Sequence, residues 1–115
     1  MSAADPFPSE PPALELRVER EDGSCVVVVL EGELDISTVD AVRAEVLGLA
    51  ARGCRSLVLD LSRLTFADSC EIHLLLDLET AAAVNGFAFA LHLGEATPAR
   101  HLLVMAGLEE RFPLA

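Results

Sequence analysis

The apolar run Cys25–Leu30, CVVVVL, restricts the fold more than any other part of the sequence. A nearly continuous apolar run of this kind is typical of a central strand with other elements covering both of its faces. The segment before it, Leu14–Glu19, alternates apolar with charged residues and predicts a half-buried strand. Asp22 and Gly23 lie between the two segments and predict a tight turn, so the two strands are expected to form a hairpin.

Helical and strand patterns alternate after this hairpin. Ser37 and Asp40 have the spacing of a capping box and predict the start of a first helix, which is expected to end at Gly53. After it the sequence predicts a short buried strand (56–61), a polar connection (62–63), a helix (70–86), a strand (87–93), a helix capped by Thr97 (97–107) and a short edge strand (108–115). Strands joined through helices pair in parallel. The sequence therefore predicts an α/β fold, a mixed sheet of four to five strands with helices packed mainly on one face.

The length of 115 residues fits one folded domain. Residues 1–12 contain four of the six prolines and are predicted to form a flexible tail. The domain is expected to span residues 13–115. The amino terminus lacks the pattern of a signal peptide, and the apolar runs fall short of the roughly 20 residues that span a bilayer. We therefore expect a cytoplasmic protein.

The charge balance narrows the classes of partner. Nineteen acidic and eight basic residues give a net charge of −11, and every basic residue is an arginine. Such a charge repels nucleic-acid phosphates and anionic membranes, whereas it favours a basic or mixed protein surface. The cysteines and histidines share no ligand-like spacing, so the sequence predicts neither a metal site nor a cofactor; these residues are Cys25, Cys54, Cys70, His73, His92 and His101.

Asp68 and Ser69 follow an apolar strand pattern and open the second predicted helix. One interpretation is structural: Asp68 caps the helix and Glu71 completes a capping box. The other is functional, because a serine in the first turn is exposed and the unpaired N–H groups there accept a phosphate. His73 lies one turn further on, but no nucleophile motif surrounds Ser69, so no catalytic residue is predicted and the chain is not expected to be an enzyme.

Three motifs, in order and at matching separations, resemble those of STAS-domain proteins, in particular bacterial anti-sigma factor antagonists. They are Gly32-Glu33-Leu34-Asp35 for the family's G-E-[LV]-D, Leu59-Asp60-Leu61 with Thr65-Phe66-Ala67-Asp68-Ser69 for its strand and D-S segment, and Gly107-Leu108 for its final G-L. The resemblance covers residues 14–112. It implies a STAS domain that binds an anti-sigma factor and thereby releases a sigma factor.

In that family the serine directly after the aspartate is phosphorylated by an anti-sigma factor that is a serine kinase, and a PP2C-type phosphatase restores it. By position this is Ser69. The resemblance implies a partner-binding surface around it, made of Asp35, Ser37, Asp68, Ser69, Cys70, Glu71 and His73. Phosphorylation is expected to abolish binding.

Two positions depart from the family pattern. Glu71 replaces a glycine, and its carboxylate is expected to lie on the partner surface and to imitate part of the phosphate's charge. Cys70 is either a redox-sensitive thiol, since helix amino termini lower thiol pKa values, or a small packing residue. The departures leave an alternative open, a STAS scaffold or transport-complex subunit whose site takes no phosphate. The apolar residues on both faces of the predicted second strand also suggest a homodimer.

Overall fold

The structure, a computed structural model, describes residues 13–22 and 24–115. This part of the chain forms four strands and three helices in the order β1 (Leu14–Asp22), β2 (Cys25–Leu34), α1 (Val39–Ala51), β3 (Ser56–Ala67), α2 (Ser69–Asn85), β4 (Ala88–His92) and α3 (Pro98–Met105). The predicted tail, residues 1–12, and Gly23 of the predicted turn lie outside the described residues. The α/β class is confirmed.

The sheet has the strand order β1-β2-β3-β4. β1 and β2 pair antiparallel as the predicted hairpin, and β2–β3 and β3–β4 pair in parallel across α1 and α2. The predicted fifth strand is reduced to one bridge between Leu91 and Leu114, where the Leu91 N–H donates to the carbonyl of Pro113 at 2.8 Å.

All three helices pack on the same face of the sheet, as predicted. The parallel register places Val28 of β2, Leu59 of β3 and Leu91 of β4 in one row. This row belongs to a single buried cluster with residues from every helix, including Val46 and Leu103. Side chains one position along each strand point to the opposite face.

β3 is longer than predicted. The expected polar connection at Ser62 and Arg63 is wrong, because these residues stay in the strand, which continues to Ala67. The Asp60 carboxylate accepts the Ser62 N–H at 2.9 Å and the Ser62 hydroxyl at 2.6 Å, so the polar stretch bonds within its own strand. The register with β2 slips at two points, and at each of them β3 holds one more residue than β2. Such bulges change which side chains face the core.

The predicted capping box of α1 is also wrong. The helix begins at Val39, and the residue before it, Thr38, makes no side-chain cap bond. The Asp35 carboxylate accepts both the N–H and the hydroxyl of Ser37, at 2.9 and 2.7 Å, so this serine is bonded before the helix starts. Asp40 bonds instead to Arg43 on the surface.

The other predicted helix ends are confirmed. α2 stops at Asn85, and Gly86 follows in the left-handed conformation with φ +77°. Thr97 caps α3, because its hydroxyl accepts the N–H of Arg100 at 3.1 Å. These ends fix the lengths of the two helices that flank β4.

Gly32 permits a close backbone contact at the end of β2. Its φ is +121°, and a Cβ there would lie 2.2 Å from the carbonyl oxygen of Ala13. The same oxygen accepts the N–H of Glu33 at 2.7 Å. The glycine therefore lets the start of β1 and the end of β2 lie against each other.

Gly32→Ala is expected to lower the free energy of unfolding by more than about 2 kcal/mol, because the new methyl group requires both a backbone shift and a strained φ. Urea unfolding of the purified variants measures this. Gly48→Ala in α1 is the control. Its Cβ would make an ordinary van der Waals contact with the side chain of Arg52, and the change is expected to stabilise the folded chain by roughly 0.5–1 kcal/mol. Equal stability of Gly32→Ala and the unmodified chain would contradict the contact.

Candidate functional site

The candidate site forms where β2 and β3 end side by side. Leu34, the last residue of β2, pairs with Ala67, the last residue of β3. The next residues along each strand, Asp35 and Asp68, are therefore neighbours at the same edge of the sheet. The hydroxyl of Thr65 ties the two strand ends together by donating to the Gly32 carbonyl at 3.1 Å.

Asp68 starts α2 as predicted. Its backbone is extended, with φ −129° and ψ −165°, and its Oδ1 accepts the N–H of Cys70 at 2.9 Å. Its carbonyl accepts the N–H of Glu71, also at 2.9 Å. Ser69 is the first residue of the helix and is exposed. The sequence therefore placed this hydroxyl correctly, at the open beginning of a helix.

Asp35 is a preorganised carboxylate beside this helix start. The hydroxyl of Ser37 is the largest cause that lowers the pKa of Asp35, followed by the N–H of Ser37 and smaller contributions from Thr38. Asp35 is therefore ionised at neutral pH, and it holds Ser37 close to the site.

The surroundings of Cys70 are acidic. Burial is the main cause that raises the pKa of its thiol, and the carboxylates of Asp68, Asp35 and Asp40 raise it further. The expectation that the helix terminus lowers this pKa is therefore wrong. Cys70 is half-buried against the core, which agrees with the packing interpretation.

Glu71 is not where the sequence placed it. Its side chain is 0% exposed, at the inner end of the buried stripe formed with Leu74, Leu75 and Leu78. Neither carboxylate oxygen has a hydrogen-bond partner among the described residues. The predicted capping box and the predicted surface carboxylate are both wrong, because an N–H bond and a solvent contact each require the side chain to point outwards. Burial raises the pKa of Glu71 to about 8.

Two exposed apolar side chains at this edge of the sheet were missed. Ile36 follows Asp35 and is 79% exposed, and Phe66 precedes Ala67 and is 47% exposed. An apolar residue between Asp35 and Ser37 was a usable signal for Ile36. Phe66 gave no such signal, because it lies two positions after the apolar Leu64, and only the second bulge in β3 places these two side chains on opposite faces.

His73 lies on the exposed side of α2, one turn beyond Ser69. The described residues contain no group of three or more side chains that could hold a metal ion. Within the same residues, no helix combines the length and apolar character needed to cross a membrane. The site is thus an exposed serine among carboxylates and apolar side chains.

Comparison with known proteins identifies the fold family. Residues 18–114 match the family described as "Mlab, STAS domain". This match covers most of the chain, which therefore belongs to the STAS-domain family. No curated protein sequence matched the chain.

Solved structures of anti-sigma factor antagonists are similar to this chain. One, from Mycobacterium paratuberculosis, is 28% identical, with a TM-score of 0.75, and the match covers 92% of this chain and 88% of that one. The unphosphorylated antagonist SpoIIAA is 25% identical, with a TM-score of 0.70 and 83% of each chain covered. SpoIIAA from Bacillus in its phosphorylated form is 28% identical, with a TM-score of 0.61 and coverage of 82% and 85%. The predicted resemblance to this group is confirmed.

The buried Glu71 carboxyl predicts an unusual pH dependence of stability. The folded chain keeps this proton up to a pH of about 8, whereas the unfolded chain releases it near 4.5. The unfolded state therefore binds fewer protons between these values, and stability falls as pH rises through that window. The contribution of this one group is on the order of 5 kcal/mol over the full window.

Urea unfolding between pH 5 and pH 8.5 tests this expectation. In Glu71→Gln the pH-dependent loss of stability caused by residue 71 should disappear. The difference in free energy of unfolding between the variant and the unmodified chain should therefore grow with pH. Glu33→Gln removes the same charge from an exposed position and serves as the control. A constant difference between Glu71→Gln and the unmodified chain would show that Glu71 is ionised in the folded state.

Proposed function

We propose that this chain is an anti-sigma factor antagonist that phosphorylation of Ser69 switches off. The observation that carries the proposal is the position of Ser69, exposed at the first residue of α2 and directly after the capping Asp68. Support comes from the membership of the STAS family and from the similarity to SpoIIAA, a protein solved in unphosphorylated and phosphorylated forms.

The geometry explains how one phosphate could act without unfolding the domain. The start of a helix favours an anion, since its first N–H groups lack partners within the helix and its dipole is positive there. The phosphate adds about −1.5 to −2 charges to a surface that already carries Asp35, Asp40 and Asp68. The fold would persist while the surface became more acidic, so a docked partner would be displaced.

The surface around Ser69 suits a protein partner with an apolar pocket and a basic rim. Ile36 and Phe66 are the exposed apolar side chains, and acidic residues lie around them. A few side chains that become fully buried in a partner's pocket usually carry most of the binding energy of an interface, and opposite charges accelerate association. The proposed partner is an anti-sigma factor that is also a serine kinase, and a PP2C-type phosphatase would reverse the modification.

Within this proposal the chain is a cytoplasmic regulatory binding protein rather than an enzyme. The partner surface would contain Asp35, Ser37, Asp68, Ser69, Cys70 and His73 together with Ile36 and Phe66. Glu71 would act from the core, because its side chain is buried. A homodimer, if formed, would use the face of the sheet opposite the helices, as the apolar residues of β2 suggest, since on this surface two copies would bring the same carboxylates together.

Ser69→Ala is expected to abolish phosphorylation. The protein is incubated with ATP and the candidate anti-sigma kinase, and the site is located by mass spectrometry. Ser24→Ala, in the exposed turn between β1 and β2, should be labelled as strongly as the unmodified chain. Undiminished labelling of Ser69→Ala would place the phosphate elsewhere and overturn this part of the proposal.

Ile36→Ser is expected to weaken binding of the unphosphorylated chain to its anti-sigma factor by about tenfold or more, because the apolar side chain of Ile36 would be buried in the complex. Isothermal titration calorimetry with the anti-sigma factor measures the dissociation constant. Val84→Ser is the control: Val84 is 76% exposed and lies near the other end of α2. Equal affinities for the two variants would remove Ile36 from the interface.

A constitutive STAS scaffold is the second candidate, and the glutamate that replaces the family's glycine at position 71 favours it. Such a scaffold would bind its partner regardless of charge at residue 69. Ser69→Asp separates the two candidates. It should weaken partner binding if the chain is a phosphorylation switch, and it should leave the affinity for the partner unchanged if the chain is a scaffold.

A further inference from the structure

The buried Glu71 carboxyl lies two residues from Ser69, and both belong to the first turn of α2. Glu71 is the first of four buried α2 residues at helical spacing, and the other three are leucines. Its side chain is 0% exposed and its two oxygens have no hydrogen-bond partner among the described residues. An ionised carboxylate in such a place is costly, so the group either keeps its proton or leaves the core.

The charged groups around this end of α2 offer Glu71 no compensation. Asp68 precedes the helix, and Asp35 and Asp40 come from the segment between β2 and the first turn of α1. The arginines of α1 and α3, Arg43 and Arg100, are bonded to other carboxylates. Burial is the cause of the raised pKa of Glu71, with no contribution from a charged partner in the described chain.

The remaining polar groups on neighbouring elements are also directed elsewhere. Asp60 of β3 accepts two bonds from Ser62, while His92 of β4 and His73 of α2 itself are exposed. Among the described residues, an ionised Glu71 would therefore lie against the apolar side chains of the core without a charged partner.

Two hydrogen bonds from backbone N–H groups to Asp68 connect the position of Glu71 with that of Ser69. Glu71 donates its N–H to the Asp68 carbonyl, and Cys70 donates its N–H to the Asp68 carboxylate, both at 2.9 Å. Because Glu71 lies on the buried face of α2, bringing its carboxyl to solvent would require this turn to rotate, which would strain both bonds. The presentation of the Ser69 hydroxyl thus depends on where the Glu71 carboxyl lies.

We propose that Glu71 is a positioning residue for Ser69, which holds the first turn of α2 in place while it carries a proton and releases that turn when it ionises. The claim that Glu71 regulates phosphorylation rests on the proposed function, whereas the claim that its proton holds the first turn of α2 in place does not. A phosphate on Ser69 brings further negative charge close to Glu71 and opposes its ionisation. By reciprocity, protonation of Glu71 favours the phosphate.

Amide NMR and hydrogen exchange test the device without a kinase. Between pH 6 and pH 9, the amide signals of Ser69, Cys70 and Glu71 should shift together with a midpoint near 8, the pKa of Glu71. Exchange protection of these amides, corrected for the intrinsic effect of pH, should fall by about tenfold or more between pH 7 and pH 9. In Glu71→Gln both changes should disappear.

Three further variants test whether the transition belongs to Glu71 alone. Asp77→Asn removes an exposed carboxylate from the same helix and should keep the transition. Cys70→Ser should also keep it, since burial and the neighbouring carboxylates raise the pKa of the Cys70 thiol. Glu71→Leu extends the leucine stripe and shows the pH-independent state if the glutamine variant folds poorly. Flat amide signals in the unmodified chain, or a transition that survives in both Glu71 variants, would overturn the proposal.

The outcome is separable from that of the proposed function. If the amide transition is absent while Ser69 is still phosphorylated, only the role of Glu71 fails. If the transition is present and no kinase labels Ser69, the proton-dependent turn stands and the phosphorylation proposal fails.

Discussion

The parallel ladder between β2 and β3, from Cys25–Ser56 at one end to Leu34–Ala67 at the other, links the core to the candidate site. The same pairing buries the central leucines and valines against the helices and brings two strand ends to one edge. Parallel strands place their carboxyl ends together, so the residues that follow them meet in space. Asp35 and the start of α2 are neighbours for this reason, although Asp35 and Asp68 are 33 positions apart in the sequence.

The site combines two electrostatic environments within one helical turn. On the outside, Ser69 lies among carboxyl groups, at a helix start whose dipole favours negative charge. On the inside, Glu71 is surrounded by apolar side chains and is held neutral by burial. A surface change and a core change thus share the backbone of residues 69–71. This arrangement gives a small domain two chemically different inputs at one position.

Most of the architecture followed from sequence patterns because those patterns are local. The continuous apolar run of β2, the cap at Asp68 and Gly86 at the end of α2 each depend on a few adjacent residues. The errors arose where a distant contact decided the outcome. Glu71 has the spacing of a capping residue, but its place on the inner face of α2 buries it. Ser37 also has a side chain that commonly caps helices, but its hydroxyl donates a hydrogen bond to the Asp35 carboxylate instead.

The two extra residues in β3 carry a consequence for comparing this chain with its relatives. Each bulge moves the following side chains to the other face: the first turns Leu64 into the core, and the second returns Phe66 to the exposed face. A relative that has only one of the two bulges in a strand of the same length would turn the opposite set of side chains towards solvent just before its aspartate. Recognition by different partners could therefore diverge through strand geometry alone, while the serine and its cap stayed the same.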